Sequence, residues 1–168
     1  SLSINELRKI NHSKLKELSK KLKKMADIII FDSAAGLGDE AIAAIESGDE
    51  LIIVTNPEIP AVTDALKTSK LIEQLGKSVK GVIVTKVNGS KSEMPVSNIR
   101  DMLELPILGV IPEDKRVQSA LAMKDALIHV YPKCKASLEY KRIAARLIGN
   151  NNYKERTNGI FEMLLGRY

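Results

Sequence analysis

The sequence of 168 residues has the size of one α/β domain, and its 44% hydrophobic and 28% charged residues are typical of a globular protein. A single Cys excludes an intramolecular disulfide framework and a four-cysteine metal site, and 4% aromatic residues without Trp disfavour a stacking platform for single-stranded nucleic acid. The net charge of +5 is concentrated in residues 1–24, whose local balance is +6, so the remaining residues sum to −1. No apolar run reaches the roughly 20 residues of a membrane span, and no signal peptide opens the chain, so we expect a cytoplasmic protein.

Residues 13–25 are the first predicted element, an amphipathic helix. Its apolar residues recur at the spacing of one buried helix face: Leu15, Leu18, Leu22 and Met25. The lysines of the segment then fall on the solvated side. Two interpretations of that basic side stay open, an ordinary solvated face and a surface for an anionic partner.

Four short apolar runs rich in β-branched residues follow along the chain. Runs of this length without polar alternation predict strands that are covered on both faces, as in parallel sheets. These runs are Asp27–Phe31, Leu51–Val54, Gly81–Thr85 and Ile107–Ile111. A segment with helical periodicity follows each of them, at about residues 38–47, 61–76, 95–104 and 114–124.

The remainder of the chain contains one more apolar run and a final helix. Ala126–Tyr131 is a candidate fifth strand, and a helix is expected from about Ala136 to Ile148. The residues expected to face inward on that helix are Leu138, Ile143, Ala144 and Leu147. Residues 1–149 are therefore predicted as one domain, residues 150–158 as a linker and residues 159–168 as a short apolar tail.

The alternation of strands and helices predicts right-handed crossovers between parallel strands. The expected fold is α/β, a doubly wound and mostly parallel sheet with helices on both faces. Ligands of such sheets bind outside the carboxyl ends of the strands. Polar residues at those ends are therefore the candidates for a functional site.

Asp32 ends the first predicted strand and is followed by a segment with two glycines, Gly36 and Gly38. A carboxylate at the tip of a buried apolar strand costs free energy unless a charged group lies opposite it. A Mg²⁺ ion with its water shell is one such group, and a glycine nearby would let the backbone approach a phosphate. The alternative, that Asp32 caps the next helix or pairs with a Lys, stays open.

The next three predicted strands also end in polar, proline-rich turns. The turns are Thr55-Asn56-Pro57-Glu58, Thr85-Lys86-Val87-Asn88 and Pro112-Glu113-Asp114. Each one alone is ordinary turn or helix-start chemistry. Together they favour a nucleotide site.

Two further motifs look like nucleotide fingerprints and are rejected. Gly36-x-Gly38-x-x-Ala41 has the shape of a dinucleotide motif, but that motif needs an acidic residue at the tip of the next strand, where Thr55-Asn56 stand. Gly76-Lys77-Ser78 resembles the end of a phosphate-binding loop, but Leu71 occupies the position of its first glycine. The latter segment also follows a helix and precedes a strand, which is the reverse of the required order.

Nearly the whole chain resembles the MinD branch of the MinD/ParA family of P-loop ATPases, the proteins that determine the septum site. The segment Asp32-Ser33-Ala34-Ala35-Gly36-Leu37-Gly38 is similar to the family's switch II segment, Asp-x-Pro-Ala-Gly-Leu-Gly, with Ala34 in place of the usual Pro. Asn56-Pro57-Glu58 with Asp64 downstream is similar to its Asn-Pro-Glu segment, and Ile111-Pro112-Glu113-Asp114 to the loop around the base. Thr85-Lys86 stands where the family commonly has Asn-Arg beside adenine.

The resemblance implies a role for each matching residue. Asp32 would hold Mg²⁺ through water and Gly36 would lie near the γ-phosphate, as the catalytic pair. The residues implied at the nucleotide, ATP or ADP, are Glu58, Thr85, Lys86, Pro112, Glu113 and Asp114. Glu58 and Asp64 would lie on the face of an ATP-dependent homodimer. Related GTPases also have a Thr/Lys pair, but Asn88 lacks the carboxylate that would bind guanine, so ATP is expected.

The resembled family begins with a strand and a glycine-rich phosphate loop, and this sequence contains no Gly-x-x-x-x-Gly-Lys-Ser/Thr. We therefore expect an incomplete P-loop NTPase-like fold that alone neither binds ATP tightly nor hydrolyses it. The function expected is part of a MinD-like ATPase, an ATP-dependent dimeric switch in placing the division site. Two alternatives are a non-enzymatic binding module without a phosphate loop and a ParA-type DNA-segregation ATPase.

The tail resembles the short amphipathic membrane-targeting helix that ends many MinD proteins. Its apolar residues are Ile160, Phe161, Met163, Leu164 and Leu165. The resemblance implies contact with the inner face of the cell membrane and division-regulator proteins as partners, with nucleic acid disfavoured. A tail docked on its own domain or on a partner is the alternative.

Overall fold

The computed structural model describes residues 12–33, 36, 38–150 and 153. In chain order its elements are α1 (His12–Leu22), α2 (Asp39–Ser47), β1 (Leu51–Thr55), α3 (Ile59–Gln74), β2 (Val79–Val87), α4 (Val96–Leu103), β3 (Ile107–Pro112), α5 (Arg116–Ala122), α6 (Leu127–Val130) and α7 (Lys135–Leu147). The chain divides into two compact units, Ser1–Leu51 with Lys67–Val79 and Ile52–Leu66 with Lys80–Tyr168. No helix within the described residues is long and apolar enough to cross a membrane.

In the first unit, helix α1 packs against helix α2. The buried Ser19 lies at this contact, and its Oγ donates a hydrogen bond to the carbonyl of Ser47 at 3.4 Å. The Lys77 Nζ donates to the carbonyl of Gly48 at 2.8 Å. It thereby satisfies an acceptor at the end of α2, where backbone carbonyls lack helical partners.

The solvated side predicted for α1 is confirmed, but the predicted apolar face is wrong at Leu18 and Met25, and Leu22 is only half-buried. Lys20 and Lys21 are exposed, as expected. Leu18 and Met25, however, are 48% and 81% exposed, because α2 covers the side of α1 that carries Ser19. The side chain of Leu15 lies outside the described residues.

The strand predicted at Asp27–Phe31 is also wrong, since residues 26–33 have no regular secondary structure. Ile28 and Ile30 are 62% and 87% exposed. A strand exists only where its backbone amides and carbonyls pair with a neighbouring strand. Within the described residues this segment has no such ladder, and its apolar composition alone does not supply one.

The three strands belong to the second unit except for their first residues Leu51 and Val79, and they form one sheet in the order β1-β2-β3. Strands β2 and β3 pair in parallel, with Ile83 opposite Gly109 and Val87 opposite Pro112. Helix α3 connects β1 to β2 and helix α4 connects β2 to β3, which are the crossovers that parallel neighbours require. The predicted strands at Leu51–Val54, Gly81–Thr85 and Ile107–Ile111 are therefore confirmed.

Both faces of the central strand β2 are covered, as the doubly wound prediction requires. Val82 and Val84 are fully buried on one face. Ile83, on the other face, packs against a cluster of Ile111 and residues around α7. Helix α7 lies directly on β3, because a Cβ added at Gly109 would collide with the side chain of Ile143. The helices thus flank a parallel sheet and leave its carboxyl end as an edge of polar turns.

Two predictions for the end of the domain need correction. Ala126–Tyr131 contains a helical turn rather than a strand, because the Asp125 carboxylate accepts the Ala126 N–H at 2.7 Å and lies 3.0 Å from Nδ1 of His129. Within α7, Ile143 is buried as predicted, but Ala144 is exposed and Ala145 is buried in its place. The tail lies outside the described residues.

Candidate functional site at the carboxyl ends of the strands

Asp32 and Gly36 belong to the first unit, and both are exposed. Gly36 has a φ of +98°, a region that residues with a Cβ rarely adopt. Nothing lies within 4 Å of the position that a Cβ would occupy there. The glycine is therefore required by the backbone conformation and not by crowding. Ala34, Ala35 and Leu37, between and beside them, lie outside the described residues.

The other predicted site residues belong to the second unit, where hydrogen bonds join the ends of its three strands. The Thr85 Oγ1 donates to the carbonyl of Thr55 at 3.2 Å, which ties the end of β2 to the end of β1. The Glu113 N–H donates to the carbonyl of Val87 at 2.9 Å, which ties the end of β3 to the end of β2. We call the last residues of the three strands together with the turns after them, residues 55–58, 85–88 and 112–114, the carboxyl rim.

The loop after β2 is held by the carboxylate of Glu93. One oxygen, Oε1, accepts the N–H of Asn88 and the other, Oε2, accepts the N–H of Gly89, both at 2.9 Å. The Asn88 side chain in turn donates from Nδ2 to Oε2 of Glu113 at 2.8 Å. The N–H of Met94 donates to the carbonyl of Pro57 at 2.8 Å. These bonds connect the loop to the ends of both neighbouring strands.

Lys86 lies in the rim with a strained backbone. Its φ is 58°, in the left-handed region that non-glycine residues seldom adopt, and the β2–β3 register shifts between Val84 and Val87. Its side chain is exposed. Strain of this kind persists where the surrounding structure fixes it, and it is concentrated at ligand-binding sites.

Glu58 and Asp64 are both exposed, at and near the start of α3. Glu58 precedes the helix, and its carbonyl accepts the N–H of Val62 at 3.0 Å. Ile59, next to it, is 65% exposed although it is apolar. The residues that the resemblance implies for a dimer face therefore lie on accessible surface.

The carboxylate of Asp114 differs from the rest of the rim because it is engaged within the chain. It is 8% exposed and accepts the Arg116 Nε at 2.8 Å, the Nη2 at 2.9 Å and the backbone N–H at 3.0 Å. The Arg116 guanidinium holds the pKa of the Asp114 carboxyl below its ordinary value. Its geometry therefore anchors the turn after β3.

The described residues offer few side chains that could bind a metal ion together. In residues 12–33 and 38–150, no three His, Cys, Asp or Glu side chains cluster so that they could hold a metal ion directly. Mg²⁺ usually keeps several waters and takes only one or two carboxylates. An exposed single carboxylate such as Asp32 fits binding through water.

Two concavities lie away from the rim, where β3 begins. Their volumes are about 420 and 230 Å³, and both are lined by Arg100 and Pro106. They lie at the amino end of the strand, whereas ligands of parallel sheets bind at the carboxyl end. The predicted residues of the second unit all lie at or near that carboxyl end.

The sequence pattern indicates the strand ends but not the contacts that Glu93 and Arg116 make there. Asn88-Gly89 is a strong turn signal, and a carboxylate four residues later could have indicated a side chain that binds the turn's amides. The Asp114–Arg116 pair has the short spacing of a helix-start turn, but the sequence pattern does not indicate that the Asp114 side chain is buried.

A family model described as the CobQ/CobB/MinD/ParA nucleotide binding domain matches residues 5–128. The chain is 39% identical over 148 residues to an ATP-binding protein of Methanocaldococcus jannaschii, covering 88% of this chain and 56% of that protein. It is 36% identical over 141 residues to the septum site-determining protein MinD of Neisseria meningitidis, covering 77% and 52%. The chain thus spans about half the length of these relatives.

Solved MinD structures share the fold. The chain matches MinD of Pyrococcus horikoshii, solved with Mg-ADP, with a TM-score of 0.80 and 29% identity over 92% of this chain and 65% of that one. It matches a MinC:MinD complex of Aquifex aeolicus with a TM-score of 0.79 and 27% identity over 89% and 64%. The chain belongs to the CobQ/CobB/MinD/ParA nucleotide-binding domain family, within its MinD type.

Proposed function

We propose that the chain is the base-binding and switch part of a MinD-type ATPase that dimerises with ATP bound and acts in placing the division site. The observation that carries the proposal is the carboxyl rim, where hydrogen bonds hold three polar strand ends together at the ligand-binding edge of a parallel sheet. The similar MinD of Pyrococcus horikoshii was solved with Mg-ADP, which supports an adenine nucleotide as the ligand.

In this proposal each of the predicted site residues has a task. Thr85, Lys86, Pro112 and Glu113 border the adenine, and Asp114 fixes the turn that carries Glu113. Gly36 leaves room for the backbone to approach the terminal phosphate. Asp32 would hold Mg²⁺ through its water shell, and the ion would neutralise phosphate charge.

Dimer formation would use the exposed start of α3. Glu58 and Asp64 carry negative charge there, beside the exposed apolar side chain of Ile59. All three side chains are accessible to a partner, which supports their use in a dimer face. We propose that nucleotide at the rim orders the Pro57–Glu58 turn and so completes this surface.

The test is the molar mass of the natural-length protein in solution, measured by light scattering after gel filtration. With Mg²⁺ and a non-hydrolysable ATP analogue the mass should double, and with Mg-ADP it should stay that of a monomer. Glu58→Ala and Asp64→Asn should reduce the dimer fraction. Glu73→Gln, at the far end of α3 and paired with Lys70 at 3.1 Å, is the matched control and should leave it unchanged.

Two outcomes would contradict the proposal. A monomer under both conditions would exclude the ATP-dependent switch. A dimer that forms without nucleotide would favour the alternative of a non-enzymatic binding module with the same fold.

We also propose that the protein contacts a membrane and a division regulator. The apolar tail supports the first, and the MinC:MinD complex of Aquifex aeolicus, with a similar fold, supports the second. Sedimentation with anionic liposomes should need both ATP and residues 159–168. Sedimentation that persists after removal of the tail would contradict membrane contact through it.

A further inference from the structure

We infer that Glu93 is a positioning residue of the nucleotide site, which it reaches through Asn88 and Glu113 without bordering the ligand itself. The inference rests on the proposed function, because it takes the carboxyl rim to be the base-binding edge. It adds a residue to that site and assigns it a selective effect on the base end of the nucleotide.

First, the carboxylate of Glu93 binds the backbone of the loop after β2. Its two carboxylate oxygens accept the N–H groups of two successive residues, Asn88 and Gly89, at 2.9 Å each. Gly89 has a φ of +79°, which turns the chain so that both amides point at one carboxylate. Hydrogen bonds to an ionised acceptor are about twice as strong as neutral ones. Glu93 therefore fixes the direction in which the chain leaves β2.

The second step is the orientation of the Asn88 side chain. Its Oδ1 accepts the Ser90 N–H at 2.9 Å, and its Nδ2 donates to Oε2 of Glu113 at 2.8 Å. Because one partner is a donor and the other an acceptor, the amide has a single satisfactory orientation. The backbone that Glu93 holds thus aims Asn88 at Glu113.

The third step is the effect on the rim. Glu113 is held by the Asn88 side chain and by its own N–H on the carbonyl of Val87 at 2.9 Å. The N–H of Met94, directly after Glu93, donates to the carbonyl of Pro57 in the turn after β1. Loss of the Glu93 carboxylate would free the loop between these two attachments and leave Glu113 with one anchor fewer.

A positioning role predicts a selective loss. Glu93 lies in the loop after β2 and reaches Glu113, proposed at the base, through Asn88. Its removal should therefore weaken binding of a nucleotide but not of a phosphate chain alone. We expect Glu93→Ala to raise the Kd for Mg-ADP about tenfold, the effect of one or two charge-assisted hydrogen bonds in a partly exposed loop. The Kd for Mg-pyrophosphate should stay within about twofold of the wild-type value.

The experiment measures both constants by titration calorimetry on the natural-length protein. The variants are Glu93→Ala, Glu93→Gln, which keeps one acceptor oxygen and should lie between, and Ser92→Ala as the matched control. The Ser92 side chain contacts Ser90 in the same loop at 2.8 Å and does not touch Asn88 or Glu113 in the described contacts. Amide hydrogen exchange without ligand is measured on the same proteins, and Asn88 and Gly89 should exchange faster in Glu93→Ala alone.

Each outcome decides the inference. A selective loss for ADP with faster exchange at Asn88 and Gly89 supports it. Equal losses for ADP and pyrophosphate, or no loss for ADP, overturn it while leaving the proposed function intact. Failure of the wild-type protein to bind ADP overturns the proposed function and the inference together, even if the exchange result shows that Glu93 holds the loop.

Discussion

Lys86 shows how one residue can carry strain at the rim. A φ of 58° costs a residue with a Cβ roughly 1 kcal/mol relative to glycine. Lys86→Gly should therefore raise the free energy of unfolding by up to about 1 kcal/mol. The greater conformational entropy of glycine in the unfolded chain offsets part of this gain. Urea denaturation measures this change, and the same variant should bind ADP more weakly because Lys86 is proposed to border the base.

Lys124 provides the matched control for Lys86. It has a φ of 56° in the turn after α5, outside the carboxyl rim. Lys124→Gly should give a similar stability change and leave the Kd for ADP unchanged. Equal effects of the two variants on ADP binding would contradict a role of Lys86 in the site.

The lowered pKa of Asp114 predicts how the free energy of unfolding depends on pH. The hydrogen bonds from Arg116 hold the pKa of its carboxyl below the ordinary value of 3.8, so the stabilisation is complete above that pH. It is lost as the pH falls through the lowered pKa of the folded state. Asp114→Asn should reduce the free energy of unfolding at pH 7 by about 1–3 kcal/mol, and the gap to wild type should narrow below about pH 4.

Urea denaturation at pH 7 and pH 3 measures this difference. Asp101→Asn is the control, because the Asp101 side chain is 65% exposed in its pair with Arg100 and such pairs contribute little. A gap between Asp114→Asn and wild type that is the same at both pH values would contradict the account of the Asp114–Arg116 pair.

Strand β3 and helix α7 pack closely together at Gly109. A Cβ on Gly109 would collide with Cγ1 and Cδ1 of Ile143, which is 4% exposed. Gly109→Ala should lower the free energy of unfolding by about 1–3 kcal/mol through overpacking. In an Ile143→Ala background the colliding atoms are absent, so Gly109→Ala should cost much less. Additive effects in this double-mutant cycle would show that the helix does not press on the strand at Gly109.

Element prediction from the sequence succeeded where a segment's own residues determine its state. Leu51–Val54 and Ile107–Ile111 were found because continuous apolar runs suit strands that are covered on both sides. Asp27–Phe31 is equally apolar and forms no strand, because a strand depends on a partner that its own composition does not encode. Ala126–Tyr131 failed for a related reason, since the bonds of Asp125 favour a helical turn there.

The position of the candidate site residues at the ends of the strands was also predictable from the sequence. The rim residues Thr85, Lys86 and Glu113 were found because polar turns after buried strands meet at one edge of a parallel sheet. The hydrogen bonds of Glu93 to the loop and the positive φ of Lys86 were not predicted. Both arise from contacts that form only after the strands have paired. The local pattern of apolar runs and polar turns therefore predicts which edge of the sheet carries the candidate site. The arrangement of the side chains at that edge depends on hydrogen bonds between residues that are distant in the sequence.

The distribution of charge over the whole molecule bears on whether the protein binds DNA. The excess of +6 in residues 1–24 leaves the rest of the chain near neutral, and the described lysines Lys20, Lys21 and Lys24 are exposed. A DNA-segregation ATPase would use such a basic helix, and its DNA affinity would fall steeply with salt. We expect no retention of duplex DNA at about 0.15 M salt in an electrophoretic or filter-binding assay. Salt-sensitive retention that Lys20→Gln and Lys21→Gln reduce would favour the DNA-binding alternative.

The central claim is that an adenine nucleotide binds at the carboxyl rim. The most direct measurement is an NMR titration of the natural-length protein with Mg-ADP, followed through its backbone amide resonances. The account predicts that the amides of Thr85, Lys86 and Glu113 shift with a common Kd, while those around Arg100 at the start of β3 do not. Shifts concentrated around Arg100, or no shifts at the rim at saturating ADP, would contradict it.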